Sequence, residues 1–239
     1  MSLRAGKAAS FVLATVRAFP SLEPVAVQPV SAKVLGLPPR RDLLWQAVTF
    51  ERDAERVGSK VILGRSDMGY SKKKLRPQKG TGRARMGDRG NPIRHDGGLA
   101  HNRHAPNDFA TGLPSSTYSL ALRTALSEQY RAGRLFIIDG EIEFGSSHSL
   151  VGETFLKEHG IKGNRVTFVV GDHRANLFDA TSDCIKVDLI PKEMVNVQDI
   201  LRAERLFIEK ESLQYLIAKF PVPEPLKPIK PLQPQEFQL

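Results

Sequence analysis

The sequence predicts an α/β fold, a mostly parallel sheet flanked by helices, with a long extended basic loop inserted between two of the helices. Three observations lead there. From Arg134 to Phe220 short apolar runs alternate with helical periodicity, and such alternation implies parallel strands joined by right-handed crossovers. Two strongly periodic helical segments lie upstream, and the stretch between them has no hydrophobic period. That stretch also carries the whole positive excess, nine charges, of the 239-residue chain.

Taken in order, residues 1–20 hold Arg4, Lys7 and Arg17, with no acid before Glu23, among Ser, Thr and small apolar residues. This is the composition of an organellar import segment, or else of a basic tail. After Pro24, Pro29, Pro38 and Pro39 a helix is expected, with Asp42 as its cap and Leu43, Ala47, Phe50, Ala54 and Val57 at helical spacing until Gly58. Ser115 or Ser116 is expected to cap a second helix, whose stripe Tyr118, Leu122, Leu126 and Tyr130 closes at Gly133. Strands are then expected at 135–139, 166–171, 185–189 and 206–209, and helices at 149–159, 174–181, 197–202 and 212–220. Asn196, three residues before Asp199, is the expected cap of the third of these helices. The organisation expected is therefore 1–20 as leader or tail, 21–59 with 105–220 as a globular α/β domain, 60–104 as the inserted loop, and 221–239 as an extension. Six prolines crowd that extension, which suits an extended polyproline chain.

Charge points to the partner. Residues 60–104 contain twelve Lys or Arg, three acids and eight of the 19 glycines, while the remainder holds 23 charges of each sign. A segment so poor in apolar area cannot by itself offset the entropy of ordering its backbone, so it is expected to order on a polyanion. Lys and Arg that neutralise phosphates release counterions, and glycines let the backbone come close to a surface. Tyr70 is the one aromatic residue of the stretch, so recognition of folded RNA by backbone and shape fits better than base stacking. Arg83 and Arg85 suit bidentate phosphate contacts that lysine cannot make.

Other chemistries find no support. No run of about 18 uncharged apolar residues exists, so no membrane span is expected. Cys184 is the single cysteine, which excludes an intrachain disulfide and points to a reducing compartment; its apolar surroundings read as a strand in the core. Gly80-Thr81-Gly82 runs into Arg83 where a nucleotide-binding loop requires glycine or Gly-Lys-Ser/Thr. His95, His101 and His104, even with Asp96, lack metal-site spacing, and Ser115, Ser116 and Ser149 lack a nucleophile turn. Asp139, Glu141 and Glu143 alternate as on one side of a strand. No catalytic residue, metal or cofactor is expected.

The run Lys72-Lys73-Lys74-Leu75-Arg76-Pro77-Gln78-Lys79-Gly80-Thr81-Gly82-Arg83-Ala84-Arg85-Met86-Gly87 resembles the universal large-ribosomal-subunit protein four family, whose bacterial members carry Lys-Lys-x-x-x-Gln-Lys-Gly-Thr-Gly-Arg-Ala-Arg-x-Gly. Asn91 to Gly98, Ala121 to Ile138, Asn176-Leu177-Phe178 and Lys186-Val187 are similar to further family blocks. The resemblance implies a non-enzymatic structural constituent of the large ribosomal subunit. It implies a globular domain on the subunit exterior and a loop that enters ribosomal RNA, its tip helping to form the nascent-peptide exit tunnel. The RNA-binding residues it implies are Lys72, Lys73, Lys74, Arg76, Gln78, Lys79, Gly80, Thr81, Gly82, Arg83, Arg85, Arg89, Arg94 and Arg103. The implied partners are large-subunit rRNA, neighbouring mitochondrial ribosomal proteins, and the nascent peptide near Gln78–Thr81. Arg76-Pro77 departs from the bacterial pattern of an aromatic residue followed by arginine. The leader and the proline-rich end suggest a mitochondrial member, located in the matrix. The competing expectations are an RNA-processing enzyme with a basic clamp, which needs convergent carboxylates or a metal, and a regulatory RNA binder acting off the ribosome.

Overall fold

A computed structural model describes residues 10–221 of the protein. Residues 1–9 of the expected leader, and the proline-rich extension beyond Pro221, lie outside the described residues. The described residues divide into two units, one formed by residues 10–49 with 113–221 and the other by residues 50–112.

The first unit contains a six-stranded sheet. Its strands are β1 (Phe11–Arg17), β2 (Pro24–Ser31), β3 (Leu135–Ile138), β4 (Val166–Val170), β5 (Val187–Pro191) and β6 (Arg205–Glu209). The spatial order is β2-β1-β3-β6-β4-β5, with β1 and β2 antiparallel and every other neighbouring pair parallel. The helices are α1 (Ala32–Leu35), α2 (Arg41–Glu55), α3 (Ser115–Arg131), α4 (Ser149–Glu158), α5 (Ala175–Thr181), α6 (Val197–Arg202) and α7 (Lys210–Lys219). The α/β class is thus observed, with a mixed sheet.

Each face of the sheet has its own core. On one face Ala14, Val16, Ile137, Leu206 and Ile208 meet Leu122 and Leu126 of α3, Ile200 of α6, and Leu213 and Leu216 of α7. On the other, Ile138, Phe168, Val170 and Phe207 meet Phe155 of α4 and Leu177 and Ala180 of α5. All five residues of β4 are buried and four of them are apolar, Thr167 being the exception, as expected of a strand covered on both faces. Phe168 stacks on Phe207 with ring centroids 5.0 Å apart, and each buried phenyl ring contributes about 1.5–3 kcal/mol.

Some expectations are corrected. Strands β1 and β2 were not expected, because Phe11–Arg17 falls within the basic leader and Pro24 and Pro29 disqualify a central strand. β2 is an edge strand, where proline costs no ladder bond on its open side. Asp42 is not the cap of α2 but lies in its first turn beside Arg40, and α2 ends at Glu55, before Gly58. Pro114, not a serine, precedes α3; the Ser119 hydroxyl instead donates to the Ser115 carbonyl at 2.7 Å. The end of α3 is as expected. Gly133, at φ 67°, donates to Tyr130 O and Arg134 to Gln129 O, the paired bonds of a Schellman stop.

β3 stops at Ile138, so Asp139, Glu141 and Glu143 share no strand face. Instead Asp139 pairs with Lys210 and Glu141 with Arg174. Cys184 sits in the turn before β5 rather than in a strand, because its N–H returns to Thr181 O and the following Ile185 is 96 % exposed. Burial raises the Cys184 thiol pKa.

At the carboxyl end of β6 the buried Glu209 gathers three segments. It accepts the N–H of Ile142 at 2.9 Å, the N–H of Gly171 at 2.6 Å and Nε of Arg174 at 3.4 Å.

Candidate nucleic-acid interface

The second unit, residues 50–112, has almost no regular structure beyond the end of α2. Its only pairings among the described residues are isolated bridges, Ile62 with Arg103 and Gly64 with Leu99. Its shape is set by individual bonds. Ile62 and Arg103 exchange N–H···O bonds of 2.9 and 3.2 Å, and Asn107 donates to Gly58 O at 3.1 Å. The Arg56 guanidinium covers the Phe109 ring at 4.0 Å. Gly98 has to be glycine, since a Cβ there would stand 2.4 Å from the Gly64 carbonyl carbon.

Two of the three acids of residues 60–104 are taken up by hydrogen bonds within the segment. Asp67 accepts the Gly64 N–H and Asn102 Nδ2, each at 2.9 Å, and those bonds lower its pKa, the Gly64 bond most. Asp88 is only 4 % exposed and receives Arg65 through Nε at 3.1 Å and Nη2 at 2.7 Å. That two-pronged bond is also the main cause of its lowered pKa. Within a strongly cationic segment these carboxylates act as internal ties.

A further pin closes the arm. Leu75 donates to Gly87 O at 3.0 Å, and Arg76 Nη2 and Arg94 Nη1 both donate to the Met86 sulfur, at 3.3 and 2.9 Å. Beyond the pin, Gly80 and Gly82 take φ of +86° and +61° with open space around them. Arg89 lies over the Tyr70 ring at 4.5 Å, and Lys74 bonds Gln78.

The expected RNA-binding residues fall into two groups. Lys72, Lys73, Lys74, Gln78, Lys79, Gly80, Thr81, Gly82, Arg83, Arg85, Arg89 and Arg103 are exposed, whereas Arg76 and Arg94 are half-buried around Met86. None of the fourteen has a carboxylate partner within ion-pair distance among the described residues; Arg65, outside the set, does. An open recess of about 360 Å³ is lined by Lys72, Lys74, Gln78, Arg85 and the Arg65–Asp88 pair. Exposed cations beside acids already bonded within the segment suit contact with phosphates at several points. Sequence reading did not find the Arg65–Asp88, Asp67–Asn102 or Arg76–Met86–Arg94 contacts, whose partners are 8 to 35 residues apart and follow no local period.

His95, His101 and His104 are exposed, and no group of three or more His, Cys, Asp or Glu among the described residues is arranged to hold a metal. No helix among them is long and apolar enough to cross a membrane.

Known proteins resemble both units. The model of the ribosomal protein L4/L1 family matches residues 28–219. The chain is 36 % identical over 229 residues to the large ribosomal subunit protein uL4m of Neurospora crassa, covering 85 % of this chain and 69 % of that protein. It is 31 % identical over 187 residues to uL4 of Aquifex aeolicus, covering 78 % and 93 %. Against uL4 of Sphingopyxis alaskensis it is 34 % identical over 188 residues, covering 78 % and 88 %.

Proposed function

Because this chain belongs to the ribosomal protein L4/L1 family, a family of structural ribosomal components and not of enzymes, we propose that it is a constituent of the large subunit of the mitochondrial ribosome, in the matrix, where it binds rRNA and supports mitochondrial translation. The mitochondrial assignment rests on similarity to uL4m. One observation carries the RNA reading: eight of the ten cations of residues 72–103 are exposed and none of the ten has a carboxylate partner among the described residues, while Asp67 and Asp88 are consumed in holding the segment's shape.

In this reading the charge-balanced α/β unit supplies stability and a docking body. The basic arm neutralises phosphates that would otherwise repel as rRNA helices pack. Residues 78–81, beyond the Leu75–Gly87 pin, are the part that approaches the nascent peptide in the exit tunnel. The 221–239 extension contacts protein or RNA elements of that ribosome. Any import cleavage falls before Phe11, because removal of residues 11–17 would take β1, with Ala14 and Val16, out of the core.

The test is cosedimentation of tagged protein with large-subunit particles, comparing wild type with a chain whose residues 72–98 are replaced by a short Gly-Ser linker. Wild type is expected in the particles, with the variant's particles immature or inactive in translation. Wild type running free of ribosomes defeats the assignment and favours the off-ribosome alternative.

A further inference from the structure

Met86 is an unusual meeting point. Two guanidinium groups, from opposite limbs of the arm, converge on one neutral sulfur, with Arg94 Nη1 at 2.9 Å and Arg76 Nη2 at 3.3 Å. Neither arginine has a carboxylate partner among the described residues. All three residues are half-buried amid a largely exposed stretch, so Met86 is flanked by donors yet not sealed from a small oxidant. A thioether is a weak acceptor, and its hold on these arginines is one that a phosphate oxygen readily outcompetes.

We propose that Met86 is an oxidative modification site whose sulfoxide restrains Arg76 and Arg94 and weakens binding of a phosphate backbone; the functional consequence rests on the RNA-binding reading above. The co-reactant is hydrogen peroxide. The sulfur lone pair attacks one peroxide oxygen, the O–O bond breaks and an S–O bond forms. The departing hydroxide takes the proton of the transferred oxygen and leaves as water. Sulfur loses two electrons and the peroxide is reduced. The product places a strongly polar S–O acceptor where two cationic donors already converge. Both guanidiniums then bond to the protein instead of to a phosphate. Methionine sulfoxide reductases reverse the change.

The experiment treats full-length protein with graded hydrogen peroxide and maps sulfoxide by peptide mass spectrometry. It then titrates a structured fragment of large-subunit rRNA across a salt series. Met86 is expected to oxidise under conditions that convert Met194, which is 69 % exposed. Loss of two phosphate contacts makes the log K against log salt slope shallower by roughly 1.4–1.8. The dissociation constant rises about tenfold. Reductase treatment restores both, and M86L shows no peroxide response whatever its starting affinity. The inference is overturned if Met86 stays reduced while Met194 is fully oxidised, if the oxidised protein keeps its slope, or if M86L responds as wild type does. Unoxidised protein lacking any salt-dependent RNA binding would instead overturn the RNA reading itself.

Discussion

Asp88 sits beneath the Arg65 guanidinium, twenty-three residues away in sequence, and takes both of its prongs at 3.1 and 2.7 Å. A carboxylate in a segment expected to bind phosphate looks counterproductive on charge alone. Asp88→Asn adds one net positive charge, so a purely electrostatic account has it bind RNA more tightly. If the pair shapes the arm, the variant binds more weakly and residues 60–107 are cleaved several-fold faster by a dilute protease. Filter-binding and timed proteolysis of the same preparation decide between the two.

Acid is expected to loosen the arm. Hydrogen bonds to Gly64 and Asn102 depress the pKa of Asp67, and those from Arg65 depress that of Asp88. A carboxylate with a lowered folded pKa contributes its full stabilisation above the unfolded value, about 4, and loses it as pH falls through the folded value. Amide exchange of residues 62–67 and 87–103 should therefore be constant from pH 7 to about 5, after correction for intrinsic rates, and lose protection below about pH 4. Protection that declines between pH 7 and 5 would show that other groups hold the arm.

Arg83 and Arg85 are exposed and have no acidic partner within ion-pair distance. Replacing both with Ala should make the salt slope of RNA binding shallower by roughly 1.4–1.8 while leaving the thermal transition of the protein unchanged. An unaltered slope would remove these two residues from the interface.

Phe168→Ala deletes a fully buried ring from the stack with Phe207. Urea unfolding should show a loss of about 3–5 kcal/mol. A loss below 1 kcal/mol would mean that the face is not packed as described.

Glu209→Ala strands two backbone N–H groups and leaves Arg174 with Glu141 as its one carboxylate partner. Breaking such a buried pair costs about 3–5 kcal/mol. Glu209→Gln keeps one carbonyl acceptor and should fall between Ala and wild type in the same urea measurement.

The parallel half of the sheet was legible because parallel strands are buried on both faces and so announce themselves as apolar runs, as β4 and β6 do. The β1–β2 hairpin was not. Its outer face leaves Phe11, Leu13, Val25 and Val27 exposed, prolines interrupt β2, and the basic residues nearby suggested a leader. In the candidate interface, composition and motif marked where the exposed cations gather, since charge density needs no partner to be read. The ties that hold them, Arg65 to Asp88 and Arg76 and Arg94 to Met86, depend on the path of an irregular backbone, and no periodicity encodes that path.

The two outer strands of the sheet bear on the life of the protein before assembly. β2 carries Pro24 and Pro29, and β5 ends in Pro191. An amide missing at intervals along an open border interrupts any ladder that a stray strand would extend. On the proposed function, a newly made copy in excess of its RNA partner persists alone until it is assembled. Its borders resist sheet-by-sheet stacking during that wait, so surplus copies should be lost to proteolysis rather than accumulate as fibrous deposits.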